Sequence, residues 1–389
     1  MKKLALLGAT GSIGRSTLEV VRSRPGAFSV ESVSGNNNWK SLARIAREFC
    51  PRLVAIGEAK HAPPLAKALS GLSCRVLAGP EGVVEAAAAS GAEMLVSAAV
   101  GAAGLEPTLA AIESGLDIAL ANKETLVMAG ALVMGKVRER GVKLLPIDSE
   151  HSAIRQCLQC GRREEISRLV LTASGGPFRG MGRDELSRVT AREALAHPTW
   201  AMGPKISIDS ATLANKALEI IEAYWLFDVA YDRIDVVVHP QAVVHSFVEF
   251  ADGSCMAQFA PVDMKIPIQY ALSGGRHWPC PSERIDLAAM GPLTFEKPDV
   301  ETFPALGFGR RAGVLGGAAP AVFSAANEAA VELFLRDAIR FLDIPDLIEA
   351  ALEAHTPIQE PDLAAIRDSD RWAREFVRAR SKTRTGARA

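Results

Sequence analysis

Short β-type runs alternate with helix-favouring stretches through the first 150 residues, and this alternation leaves the chain few architectures. The runs fall at 3–7, 28–33, 52–56, 94–97, 117–120 and 142–147, separated by segments rich in Ala, Leu, Glu and Arg. Strand, helix, strand at this pitch predicts a parallel sheet covered on both faces. Ligands of such sheets sit beyond the carboxyl ends of the strands. Three polar motifs fall at those ends. Gly8-Ala9-Thr10-Gly11-Ser12-Ile13-Gly14 follows the first run, Asn122-Lys123-Glu124 the fifth, and Asp148-Ser149-Glu150 the last.

From 151 to 285 the pattern changes. β-like runs at 166–172, 234–238, 243–250 and 254–259 predict a partly antiparallel sheet in a second, α+β domain. Two aperiodic segments rich in Gly and Pro, 174–178 and 197–204, read as loops, and the second, holding Trp200 and Met202, is a candidate lid. Residues 286–312, with Pro292, Pro298 and Pro304, read as a linker. Helical patterns at 320–336, after Asp343 and at 361–380 predict a helical domain over 313–389. The expected class is therefore α/β: a Rossmann-like domain over 1–150, an α+β domain over 151–285, and a C-terminal helical domain. A chain of 389 residues is long enough for two or three domains.

The glycines 8, 11 and 14 let the backbone approach a pyrophosphate, whose charge is met by amides at the start of a helix over 15–22. Thr10 and Ser12 add hydroxyl donors. A dinucleotide is thus expected here. An acid at the end of the second strand commonly takes the ribose 2′-hydroxyl of NAD. This chain has Ser34-Gly35-Asn36-Asn37-Asn38 instead, which favours NADP, with Lys40 slightly beyond.

Asp148 and Glu150, two residues apart, project to one side of an extended segment. Adjacent carboxylates repel unless a cation or proton intervenes, and Glu219 would complete an all-oxygen site suited to Mg²⁺ or Mn²⁺. Each acid alone reads equally as a solvated surface charge. Around Glu219, the run 210–213 reads as a helix start capped by Asp209 or Ser210. Asn215, Lys216 and Glu219 then share a face, so that Ser210, Asn215 and Lys216 could hold a phosphate. A capped helix with a surface Lys–Glu pair is the competing description.

Charge and cysteines narrow the class. Lys and Arg number 44 against 45 Asp and Glu, giving no field to attract nucleic acid or an anionic membrane. The basic residues after 378 read as a solvated tail. Six scattered cysteines fit reduced thiols, and Cys157-x-x-Cys160 reads as core packing. No signal peptide is apparent, and no stretch nears the roughly 20 apolar residues of a membrane span, so a cytoplasmic location is expected. His151, His239 and His245 read as core histidines.

Several motifs together resemble the 1-deoxy-D-xylulose 5-phosphate reductoisomerases of non-mevalonate isoprenoid synthesis, over nearly the whole chain. They are GATGSIG at 8–14, ANKE at 121–124, PIDSEHSA at 146–153, TASGGPF at 172–178, HPTWAMGPKISIDSATLANKALEIIEA at 197–223 and HPQAVVHS at 239–246. The resemblance implies NADPH-dependent conversion of that ketose phosphate to 2-C-methyl-D-erythritol 4-phosphate. It implies cofactor contacts at Thr10, Gly11, Ser12, Ile13, Gly35, Asn36, Asn37, Asn122, Glu124 and Gly203. It implies a metal (Mg²⁺ or Mn²⁺, Co²⁺ also accepted) at Asp148, Glu150 and Glu219. Implied substrate contacts are Lys123, Ser149, Glu150, Ser174, His197, Ser210, Asn215, Lys216 and Glu219, with Trp200 as the cover of a closing lid at 197–204. Lys123 and Glu150 are candidates for proton traffic. The resemblance further implies a homodimer. Asn36 departs from relatives with lysine there, leaving the 2′-phosphate contact open. The alternatives are another NADP-dependent oxidoreductase of a small phosphorylated or semialdehyde substrate, and a non-catalytic NADP(H)-sensing protein.

Overall fold

The computed structural model describes residues 1–88, 91–200, 202–356 and 358–386, with side chains through 382. The chain forms two compact units. The first comprises 1–125, 133–152 and 263–283; the second comprises 126–132, 153–262 and 284–389.

The first unit holds seven strands: β1 (Lys2–Leu7), β2 (Phe28–Gly35), β3 (Leu53–Ile56), β4 (Arg75–Ala78), β5 (Met94–Ser97), β6 (Asp117–Leu120) and β7 (Leu144–Pro146). All pair in parallel, in the order β4-β3-β2-β1-β5-β6-β7. The winding reverses between β1 and β5, which opens the ligand-binding crevice of such sheets at their carboxyl ends. Six of the seven strands are legible as apolar runs because both faces are covered; Met94, Leu95 and Val96 are fully buried. β4 is the exception. It is one of the two edge strands and, unlike β7, has four residues that are only half-buried or exposed, so its sequence carries little apolar signal.

Residues 263–283 correct the expected boundary at 285. The helix Lys265–Leu272 buries Ile268, Ala271 and Leu272 in the core formed by Leu4, Leu6, Val33 and Met94. Trp278 packs on Phe28 at 6.0 Å between ring centroids, under the Arg24 guanidinium at 5.3 Å. A return of this kind is set by packing partners distant in sequence, which no local pattern displays.

The second unit is built on a four-stranded sheet of β8 (Ile166–Ala173), β9 (Ile234–Val238), β10 (Val244–Phe250) and β11 (Cys255–Phe259), in the order β11-β10-β8-β9. β8 and β9 are parallel; β10 and β11 complete an antiparallel ladder. The parallel pair forces a crossover through 174–233. That crossover carries the helices Pro204–Ala211 and Ala214–Phe227.

The four C-terminal helices, Ala305–Leu315, Ala319–Leu335, Asp343–Ala354 and Leu363–Gly386, do not form a separate domain. Phe323, Val331, Ile348 and Val377 share one core with Leu169, Leu218 and Ile221. In Ala319–Leu335, 13 of 17 residues are buried, the mark of a helix enclosed on all sides. The expected linker over 286–312 also ends early, because Pro304 caps a helix starting at Ala305. That helix approaches Ala214–Phe227 so closely that a Cβ on Gly309 would lie 2.4 Å from the Cβ of Ala217.

Two glycine substitutions should therefore move stability in opposite directions. Alanine is favoured in a helix by about 1 kcal/mol over glycine. Gly135 has no neighbour within 4 Å of its missing Cβ, so Gly135→Ala should raise the melting temperature. Gly309→Ala must push two helix backbones apart, at about 1–3 kcal/mol, and should lower it. Differential scanning calorimetry of both variants checks the pair.

Candidate active site

In the first unit, the turn out of β1 is shaped by glycine. Gly8 has φ +80°, and a Cβ there would stand 2.4 Å from the Ala98 carbonyl oxygen; a Cβ on Gly14 would stand 2.4 Å from the Gly8 oxygen. The loop thus lies flush on its neighbours, and the helix Ser12–Arg22 starts directly behind it, with Gly11 at its cap. Gly11 and Ser12 are exposed, Thr10 and Ile13 half-buried. A Cβ on Gly35 would meet the Thr10 side chain at 3.3 Å, which sets the end of β2, with exposed Asn36 and Asn37, beside the loop. Uncharged donors and free backbone amides at a helix start suit a dinucleotide with a 2′-phosphate.

Beyond the adjacent strands β6 and β7 stand the motifs of 122–124 and 148–150. Asn122 is buried, and its amide donates to the Ala99 and Gly101 carbonyls at 3.0 Å and to the Glu124 carboxylate at 2.9 Å. Its side-chain oxygen accepts from Thr125 Oγ1. The Asn122 side chain therefore pins the loop after β5, a role its sequence context did not reveal. Lys123 is 4% exposed and its Nζ lies 2.5 Å from Asp148 Oδ2. Asp148 and Glu150 offer carboxylate oxygens within 4.8 Å of each other, and Ser149 Oγ donates to Glu150 at 2.5 Å. The extended reading of this triplet is corrected. A helix runs Ser149–Cys157, and the Asp148 carbonyl accepts from Ser152 N, so the acids sit at a helix start, where the dipole also favours negative charge.

In the second unit, the expected helix start at 210–213 is a helix end. Asp209 and Ser210 close the helix Pro204–Ala211, Leu213 turns the chain at φ +61°, and the next helix begins at Ala214. Asn215, Lys216 and Glu219 do share its first turns. Glu219 is 1% exposed and Lys216 3%. Glu219 accepts from Asn215 Nδ2 at 2.6 Å and from Lys216 Nζ at 2.5 Å. The pair is buried, unlike the surface pair that the spacing also allowed. Asp209 is buried too, bound by Lys205 at 2.7 Å and by Asn327 Nδ2 at 2.8 Å. Asn327 lies 118 positions away, beyond the reach of sequence reasoning. A Cβ on Gly176 would stand 2.8 Å from the Ser210 carbonyl oxygen, so the loop after β8 is packed onto the turn at Ser210.

His197 joins that loop to the lid segment. Its Nδ1 accepts from the backbone N–H groups of Thr199 at 3.1 Å and Trp200 at 2.9 Å. The proton is therefore on Nε2, which donates to Ser174 Oγ at 2.9 Å. Burial lowers the pKa of the ring, holding it neutral. Trp200 lies 6.3 Å, ring to ring, from His245; His245 is buried, as expected, yet it flanks a candidate site residue. Ala201, within the expected lid, lies outside the described residues, Met202 and Gly203 follow it half-buried, and Pro204 already begins a helix. His151 and His239 are buried, and His239 Nδ1 donates to the Thr294 carbonyl at 2.9 Å.

Burial raises the thiols of Cys74, Cys255 and Cys280 and pushes Cys157 up to about 12. Cys157 is core, as expected, whereas Cys160 is exposed.

A parallel sheet with a glycine turn at its switch point, joined to a unit bearing a buried acid–ammonium pair, defines a dinucleotide-binding protein of the oxidoreductase type. Comparison with known proteins gives the family. The family descriptions "1-deoxy-D-xylulose 5-phosphate reductoisomerase", its "C-terminal domain" and "DXP reductoisomerase C-terminal domain" match residues 4–130, 144–227 and 259–376. The reductoisomerase of Heliobacterium modesticaldum is 52% identical over 382 residues, covering 98% of this chain and 97% of the relative. That of Gloeobacter violaceus is 50% identical over 380 residues, 97% of each. A solved reductoisomerase from Zymomonas mobilis, in complex with NADPH, superposes with a TM-score of 0.91 at 42% identity, over 98% of this chain and 99% of the other. A second, in complex with NADPH, fosmidomycin and magnesium, gives 0.94 at 40% identity over 98% of each. The chain belongs to the 1-deoxy-D-xylulose 5-phosphate reductoisomerase family.

The His197 geometry sets an expectation for pH. A histidine whose folded pKa is lowered contributes contacts fully present above its ordinary range and lost as pH falls through the lowered value. Protonation would place an Nδ1–H against two backbone donors. Nitrogen-detected NMR should show the Nε2–H tautomer at neutral pH and a midpoint below that of free histidine. An Nδ1–H tautomer would contradict the assigned contacts.

Proposed function

We propose that this chain converts 1-deoxy-D-xylulose 5-phosphate to 2-C-methyl-D-erythritol 4-phosphate, with NADPH and a divalent cation, as its family name indicates. The observation that carries the reading within this chain is the provision for charge. In the first unit Asp148 faces the Lys123 ammonium, and in the second Glu219 faces that of Lys216, both at 2.5 Å. Carboxylates so paired are ionised and built to face positive charge. With Glu150 they offer carboxylate oxygens alone, the donor chemistry that Mg²⁺ and Mn²⁺ prefer. We assign Asp148, Glu150 and Glu219 as the metal ligands. Relatives solved with magnesium, and with fosmidomycin and magnesium, support that ion as the occupant.

A divalent ion at these acids would polarise the substrate carbonyl and lower the pKa of the neighbouring hydroxyl. Lys123, held by Asp148, and Glu150, held by Ser149, are our candidates to exchange protons with that hydroxyl. NADPH on the loop 8–14 and the β2 end would supply the hydride for the reduction. Ser174, His197, Ser210, Asn215 and Lys216 bind the phosphate end, where binding energy remote from the reacting carbons orients them. Trp200, beside His197, would cover the bound substrate and exclude water. The resemblance also supports a homodimer and a cytoplasmic location. No helix among the described residues is long and apolar enough to cross a membrane.

The decisive assay follows NADPH loss with the ketose phosphate, with and without EDTA. Metal-independent turnover would instead favour an ordinary NADP-linked reductase. Glu219→Gln should abolish metal-dependent turnover while leaving NADPH binding intact, as read by fluorescence titration. Lys216→Ala should raise the apparent KM about tenfold or more, the cost of a charge-assisted contact, with a smaller change in NADPH affinity. It should also lower the melting temperature, because it strands a buried carboxylate.

A further inference from the structure

The ends of β2 and β3 are laced together where the adenosine ribose of a dinucleotide would rest in a sheet of this type. Gly57 N donates to the Gly35 carbonyl and Glu58 N to the Asn36 carbonyl, both at 2.9 Å. A Cβ on Gly57 would stand 2.6 Å from Asn36 Oδ1, so this close approach requires glycine. Directly after it, the short turn Ala59–His61 brings back two basic side chains. Lys60 Nζ lies 2.7 Å and His61 Nε2 3.6 Å from the Glu58 carboxylate, which also accepts from the Asn37 side chain. Hydrogen bonding from Lys60 is the leading cause of a lowered Glu58 pKa.

The other bases near this end are engaged. Lys40 lies over the Trp39 ring at 5.8 Å, and the Arg15 guanidinium donates to the Thr10 carbonyl at 2.7 Å. Asn38 spends its side chain capping the helix Trp39–Phe49 through Ser41 N at 3.1 Å. Asn36 and Asn37 offer dipoles but no charge. A 2′-phosphate bound at these amides would have the Glu58 carboxylate, which is bonded to the Asn37 side chain, close by.

We propose that Lys60, held beside the β2 end by Glu58, supplies the positive charge for the 2′-phosphate and so sets the preference for NADPH over NADH. The inference rests on the NADPH reading above. Its side chain is 72% exposed against 34% for Glu58, so the ammonium stands outermost, where an incoming phosphate meets it first. Asn36 and Asn37 complete the donor set, and Glu58 holds the ammonium near the site while no phosphate is bound. Sequence reading missed this group because the lysine lies on the turn after the third strand, more than twenty positions beyond the motif it serves.

Calorimetric titration of the full-length protein with NADPH and NADH tests the assignment, with adenosine 2′,5′-bisphosphate against AMP as probes of the phosphate alone. Lys60→Ala should raise the dissociation constants of NADPH and of the bisphosphate about tenfold and leave those of NADH and AMP unchanged. Glu58→Gln should tighten NADPH by removing the competing acid. Equal losses for both cofactors, no loss at all, or a loss found only in Arg15→Ala would overturn the assignment. Failure of the wild-type protein to prefer NADPH would defeat the parent reading instead, and it is visible before any variant is made. All three side chains are on the surface, so the variants should keep the wild-type melting temperature.

Discussion

A carboxylate removed from water needs a counter-charge held within hydrogen-bond distance, and Glu219, Asp148 and Asp209 each have one. Glu219 is nearly inaccessible and is met by Lys216 from one helical turn away. Asp148 is met by Lys123, which starts the helix after the neighbouring strand. Asp209 is met by Lys205 and by an amide from the helical region. Ion pairs of this kind add little net stability, since desolvation cancels most of the attraction. Their retention fits a different use, the holding of ionised oxygens and ammonium groups in fixed positions before a substrate or ion arrives.

Backbone geometry supports that charge arrangement. Glycine is required at 8 and 14 because the loop lies against the Ala98 carbonyl and against itself, at 57 because β3 presses on Asn36, and at 176 because the loop after β8 lies on Ser210. At each of these places a Cβ would displace a segment that bears expected site residues. The same logic reaches the core, where Gly309 lets two helices meet. One of them bears Lys216 and Glu219, so the helical region shares a core with the site-bearing helix.

Much of the architecture was legible beforehand. Six parallel strands, the four strands of the second sheet and three C-terminal helices lie where apolar periodicity put them, because central strands and enclosed helices carry strong burial signals. The elements that escaped notice have weak signals or distant partners. β4 is a half-exposed edge, Lys265–Leu272 is stabilised chiefly by the helix Ser12–Arg22 from more than two hundred positions away, and Ala305–Leu315 hides behind prolines that precede it. Among site residues, Lys123, Asp148 and Glu150 come together in the first unit, as Ser174 and His197, and Lys216 and Glu219, do in the second. Local conformation was misjudged twice, at 148–150 and at 210–213. In both places a polar run carries the signature of a cap, and caps alone do not tell which side of the break is helical.

The amino-acid sequence alone determined the alternation that yields a parallel sheet, the glycine turn, the family motifs and the chemical nature of every proposed ligand, because each depends on residue type and short-range spacing. The tertiary structure decided which charges are buried and paired, which histidine nitrogen bears the proton, that residues 263–283 return to the first unit, and that Lys60 stands by the end of β2. Those outcomes depend on which surfaces meet when distant segments exclude water together, and no stretch of the chain read by itself contains that information.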